Sequence, residues 1–218
     1  MNKQIAISKI EKYETSYLGC KYVFINNKSS ITNVIFTGAG QRYYMMISWF
    51  NDNFDYNYLY LNSAHCDYQN IHIYQEIIKN CNSTHYNMIG ISYGGYAVLV
   101  YASIFPTLAV IITDPTPLSW VVDIDICLKT ITAMIYYHRS LHPHDVIEFT
   151  KIRNALEKTS LFYTIRCSLS ETHSANIPNE EMVLQYIQNT LSLSKNNCKI
   201  LMTKNKNSEL NREFLEWT

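Results

Sequence analysis

Short apolar runs recur along the chain at residues 21–25, 33–37, 56–61, 86–91, 108–113, 161–167 and 198–203, each with the β-branched and aromatic character of a strand. Residues 71–81, 93–104, 180–193 and 209–217 read as helices between and after them. Apolar runs alternating with helix-like segments predict an α/β fold: a mainly parallel sheet of about six or seven strands with crossover helices on both faces. No repeat, low-complexity tract or linker interrupts the pattern, so residues 1–218 read as a single domain. The interval between Asp114 and Ser160 is longer than a simple crossover needs.

Two of the runs lead into glycine. The chain has only six glycines, and five of them fall in Gly38-Ala39-Gly40 and Gly90-Ile91-Ser92-Tyr93-Gly94-Gly95. A sequence this sparing of glycine marks those loops as places where the backbone turns sharply or approaches another segment closely. For Gly38 and Gly40 an ordinary tight turn is the alternative. The second loop carries a serine inside a G-x-S-x-G pentapeptide, between a strand candidate and an apolar helix. That spacing suits a strained strand-to-helix turn that exposes Ser92 Oγ, because bulk two residues before or after the serine would strike neighbouring backbone.

On Gly90, Ser92 and Gly94, followed by Gly95, the chain resembles the α/β-hydrolase superfamily, and the resemblance runs from about Lys21 to the end. It implies a nucleophile after the fifth strand. It also implies an oxyanion hole built from the amide after the nucleophile and one from the loop after the third strand, here Tyr93 with Ala39 or Gly40. Residues 115–160 stand where that superfamily inserts a cap or lid. Trp120, Met134, Tyr136 and Tyr137 could wall an apolar pocket there, or the segment could pack as helices on the sheet.

A serine needs a base within hydrogen-bond reach and an acid that orients the base. The superfamily's order is serine, acid, then a histidine after the last strand. The loop after the last strand candidate, Lys204-Asn205-Lys206-Asn207-Ser208-Glu209, has no histidine. Of the seven histidines only His173 lies beyond residue 144, and it follows the strand candidate 161–167 on the carboxyl edge where α/β sheets build their sites. It is the leading base candidate, one strand earlier than the resemblance requires, with His65 the lesser one. His138, His142 and His144 fall in the cap interval, and His72 and His85 read as structural. Asp114, at the end of the strand 108–113, is the acid candidate, with Glu171 the alternative; Asp114 would equally cap a turn before Pro115.

Composition narrows the classes further. Lysine plus arginine equals aspartate plus glutamate at 18 each, so no net field recruits nucleic acid or an anionic membrane. No run is long and apolar enough to span a bilayer, and the N-terminal segment does not read as a signal peptide, so a cytoplasmic location is expected. The six cysteines show neither C-x-x-C pairing nor ligand spacing and read as reduced thiols; no metal and no cofactor is implied. Two readings remain. One is a serine esterase, thioesterase or acyl-transfer enzyme acting on a small acyl ester or thioester. The other is a degenerate hydrolase fold that binds a ligand or protein partner. Oligomeric state is not legible.

Overall fold

The computed structural model describes residues 3–39, 55–63, 67–116, 123–131, 133–159 and 161–170. In chain order the elements are α1 (Lys3–Tyr13), β1 (Glu14–Tyr17), β2 (Cys20–Ile25), β3 (Ile31–Phe36), β4 (Asn57–Leu61), α2 (Ile71–Lys79), β5 (His85–Ile91), α3 (Tyr93–Ala102), β6 (Thr107–Thr113), α4 (Ile124–Leu128), β7 (Ala133–Ser140), α5 (Pro143–Leu156) and β8 (Phe162–Ser170). The strands form one sheet in the order β1-β2-β4-β3-β5-β6-β7-β8. The β1–β2 and β2–β4 pairs are antiparallel, and every later pair is parallel.

Parallel central strands are covered on both faces, which is why they read as unbroken apolar runs and not as alternating ones. Along β3, Val34 and Phe36 enter one core while Ile35 enters the other. The first core is roofed by α2, α3, α4 and α5 through Ile77, Leu99, Leu128, Phe149 and Ile152. In the second, Ile35, Tyr58, Tyr60, Ile89, Ile111 and Ile135 line the sheet, and Ile10 and Tyr13 of α1 pack at its margin. α3 is apolar nearly all round, the mark of a buried helix. A polar contact ties it to α5: the Tyr96 hydroxyl donates to Glu148, whose second carboxylate oxygen accepts from Lys151 Nζ at 2.6 Å. Burial, reinforced by that carboxylate, pushes the Tyr96 phenol pKa well up.

Three expectations change. The described residues carry eight strands where six or seven are expected, because β1 and β7 are not recognisable in the pattern. β1 is four half-exposed residues at a sheet edge, too short and polar to stand out. β7 lies inside the interval read as a cap: its run from Ala133 to Tyr137 is short and continuous, a pattern that periodicity cannot separate from buried helix. Met134, Tyr136 and Tyr137 are therefore core residues of the sheet and not walls of a cap pocket. Trp120 and the strand candidate 198–203, like the helices expected over 180–193 and 209–217, lie outside the described residues.

The cysteines supply the third change. Cys20 at the start of β2 is disulfide-bonded, not reduced. Sequence spacing cannot reveal a bond between cysteines that only the fold brings together. Cys81 and Cys127 are free and buried, and desolvation pushes the Cys81 thiol up to about 12.

The packing of α3 on the sheet depends on glycine. A Cβ at Gly94 would fall inside the van der Waals shells of the Phe36 and Thr37 carbonyl oxygens, and one at Gly90 would strike the Gly94 carbonyl. At Gly95 it would lie 2.9 Å from Pro115 Cβ.

Three outcomes are expected. Gly94→Ala should destabilise the fold by about 3 kcal/mol or more, because backbone cannot step aside as a side chain can, and the urea midpoint measures it. Alkylation in denaturant should add two fewer groups without reductant than with it. In the native protein at pH 8 Cys81 should stay unmodified, since a thiol with that pKa presents almost no thiolate.

Candidate active site

Strand order fixes where a site can form. β3 and β5 are neighbours, but the chain leaves β3 toward β4 on one side and leaves β5 toward β6 on the other. Connections diverging from adjacent parallel strands open a crevice at the carboxyl ends, where α/β sheets bind ligands. Both glycine-marked loops leave from these two strands.

Ser92 joins β5 to α3. Its backbone lies at φ 53°, ψ −125°, a region costing a non-glycine residue on the order of 1–3 kcal/mol. The surroundings hold it there. Its amide donates to the Thr113 carbonyl at 2.9 Å, and its carbonyl accepts from the amides of Gly95 at 2.9 Å and Thr116 at 3.0 Å. Ser92 is half-buried, and its Oγ lies 3.0 Å from Thr116 Oγ1. The next residue, Tyr93, opens α3, so its amide belongs to the unpaired first turn of a helix. That end of the helix carries the partial positive charge of the macrodipole.

The loop after β3 begins with Thr37 and Gly38, both buried, and reaches Ala39 at an exposed turn. Gly94 sets the first turn of α3 against the carbonyls of Phe36 and Thr37, which brings this loop beside the Ser92 turn. Gly40 lies outside the described residues.

Asp114 directly follows β6, with a left-handed backbone (φ 35°) and an amide that donates to the Tyr137 carbonyl at 3.2 Å. Its side chain is fully buried, and Oδ1 stands 3.5 Å from Nδ1 of His138, which is also fully buried. His138 belongs to β7, not to a cap, and stacks on Phe149 of α5 with ring centroids 4.3 Å apart. His142 and His144 sit exposed at the start of α5 with stacked rings, and His72 and His85 are exposed. His65, Glu171 and His173 lie outside the described residues, though β8 ends at Ser170, three positions before His173. Among the described residues no group of three or more histidine, cysteine, aspartate or glutamate side chains is placed to hold a metal ion, and no helix is long and apolar enough to cross a membrane.

Thr116 is the residue the sequence does not announce. It lies in Asp114-Pro115-Thr116-Pro117, where the prolines suggest only a turn, and its link to Ser92 spans 24 positions.

No protein-family model matches the chain, and no curated protein sequence matches it. Solved structures do. Est1E from Butyrivibrio proteoclasticus is 11% identical, with a TM-score of 0.59 over 84% of this chain and 98% of that one. An alpha/beta hydrolase enzyme from the sediment metagenome of the Mar Chica lagoon, Morocco, is 14% identical, with a TM-score of 0.58 over 84% and 99%. An alpha-beta serine hydrolase homologue from Coxiella burnetii is 9% identical, with a TM-score of 0.51 over 83% and 95%. At such identities a likeness speaks to architecture alone, and together with the strand order it gives this chain the α/β-hydrolase fold.

Proposed function

We propose that the chain is a serine hydrolase acting on small carboxylic esters or thioesters, with Ser92 as nucleophile, His173 as base and Asp114 as acid. The observation that carries this reading is the backbone of Ser92, held at φ 53° between a strand and a helix by glycines that tolerate no Cβ. Strained backbone persists where the surrounding structure over-determines it, and a binding surface has little use for it. That the similar structures include an esterase from Pyrococcus furiosus supports the same class.

The extra strand alters the argument about the base. With β7 in the sheet, the strand that precedes His173 in sequence is the eighth of the described strands, and it runs parallel to β5. His173 lies outside the described residues; it follows β8 by three positions in sequence and is the base in this reading. Asp114 follows β6 on the same edge. Glu171 remains the alternative acid.

In the proposed reaction His173 takes the Ser92 proton as Oγ bonds to the acyl carbon. The amides of Tyr93 and Ala39, or Gly40, receive the developing oxyanion. The alcohol or thiol leaves with the proton from the imidazolium, and water then releases the acid by the same steps in reverse. Thr116 holds the serine hydroxyl in the resting site and must yield it to the base.

A fluorophosphonate probe should label the wild-type protein once, and Ser92→Ala should abolish both labelling and ester turnover while keeping the fold. His173→Ala should cost a comparable factor, up to about a millionfold, because triad members act as a unit, and Asp114→Asn should cost less. Absence of labelling in well-folded protein would instead support a retired site that binds without turnover. Full activity in His173→Ala would remove that residue from the mechanism.

A further inference from the structure

Resting on the serine-hydrolase reading, we infer that the segment following β4 is a brace that sets the separation of the two oxyanion-hole amides, with Tyr68 and Asp67 as positioning residues. Each half of the hole is tied to this segment by its own contacts.

On the β3 side, Tyr68 is fully buried, and its phenol oxygen accepts from the Thr37 amide at 2.9 Å. The same oxygen lies 3.2 Å from the Thr37 carbonyl and 3.3 Å from the Leu61 carbonyl, either of which takes its proton, and 3.1 Å from Thr37 Oγ1. Ser63, just past β4, donates its hydroxyl to the Gly38 carbonyl at 3.0 Å. The two residues before Ala39 are thus held at the Thr37 amide and at the Gly38 carbonyl, with the Thr37 carbonyl within reach of the Tyr68 hydroxyl.

On the α3 side, the Tyr68 ring stacks on that of Tyr93, with centroids 5.8 Å apart and planes at 21°. The Tyr93 hydroxyl donates to Asp67 Oδ1 at 2.5 Å. Two turns along the helix, the Tyr101 hydroxyl donates to the Tyr68 carbonyl at 2.7 Å. Tyr68 therefore touches the β3 loop with its phenol, and α3 with its ring face and its carbonyl. A phenylalanine would fill the same space. The hydroxyl is retained at the cost of burying a polar group, and its partners lie on the loop before Ala39 and at the end of β4.

An oxyanion hole works only when both donors aim at the position of the developing charge, so a small shift in their spacing lowers the rate and leaves substrate binding largely unchanged. Tyr68→Phe, Tyr93→Phe and Asp67→Asn test this. The last two change side chains at the surface end of the brace and keep the fold if Tyr68→Phe proves unstable. Each is compared with wild type in the rate of fluorophosphonate labelling, in kcat and KM for a short-chain ester, and in affinity for a trifluoromethyl ketone, which adds to the serine as a tetrahedral oxyanion. The expected result is a fall of about ten- to a hundredfold in kcat and ketone affinity together, with KM within about twofold. Folded variants that label and turn over at the wild-type rate would overturn the brace alone. A wild-type protein that does not label would overturn the hydrolase reading and the brace's catalytic role with it.

Discussion

The candidate site depends on one close approach, the backbone of α3 lying directly against the carbonyls of Phe36 and Thr37 with no side chain between them. Bringing the helix this near leaves no room for a relaxed turn after β5, and Ser92 absorbs the difference in its φ. The same approach lays the loop after β3 beside the first turn of the helix. Geometry that seems to belong to a serine is set by the absence of two methyl groups, at Gly90 and Gly94.

Around this contact the interior contains hydrogen-bonded phenols. Tyr68, Tyr74 and Tyr101 are fully buried, the first and last packing on Phe36 and Tyr74 packing on both, and each hydroxyl reaches a main-chain carbonyl. Phenols bury nearly as much apolar surface as phenylalanine and add directional bonds. Asp114 and His138 form a different kind of interior pair. For buried ionisable groups in contact, here 3.5 Å apart, desolvation can cost more than attraction returns, so the pair is poor evidence of stability. The pair lies toward the carboxyl edge of β6 and β7.

Legibility in the sequence followed the backbone. Gly90 and Gly94 stand out because only glycine meets a close approach, and the strands β3 to β6 stand out because doubly covered strands are mostly apolar along their length. β7 was hidden by company: its apolar run sits in a long interval and passes into His138 and Arg139, so it merges with its neighbours. Thr116 and Tyr68 were illegible for another reason. Their partners lie 24 and 31 positions away, and those of Tyr68 include main-chain atoms that any residue supplies.

The buried phenols also bear on which structure the chain settles into. A core of leucine and phenylalanine tolerates many nearly equivalent arrangements, since one apolar contact replaces another. Here, an arrangement that turned Tyr68 or Tyr101 away from its carbonyl would strand a hydroxyl in apolar surroundings, at about 1–3 kcal/mol each. Alternative packings of α3 on the sheet are therefore disfavoured by what they leave unmet, and the native arrangement is singled out by exclusion.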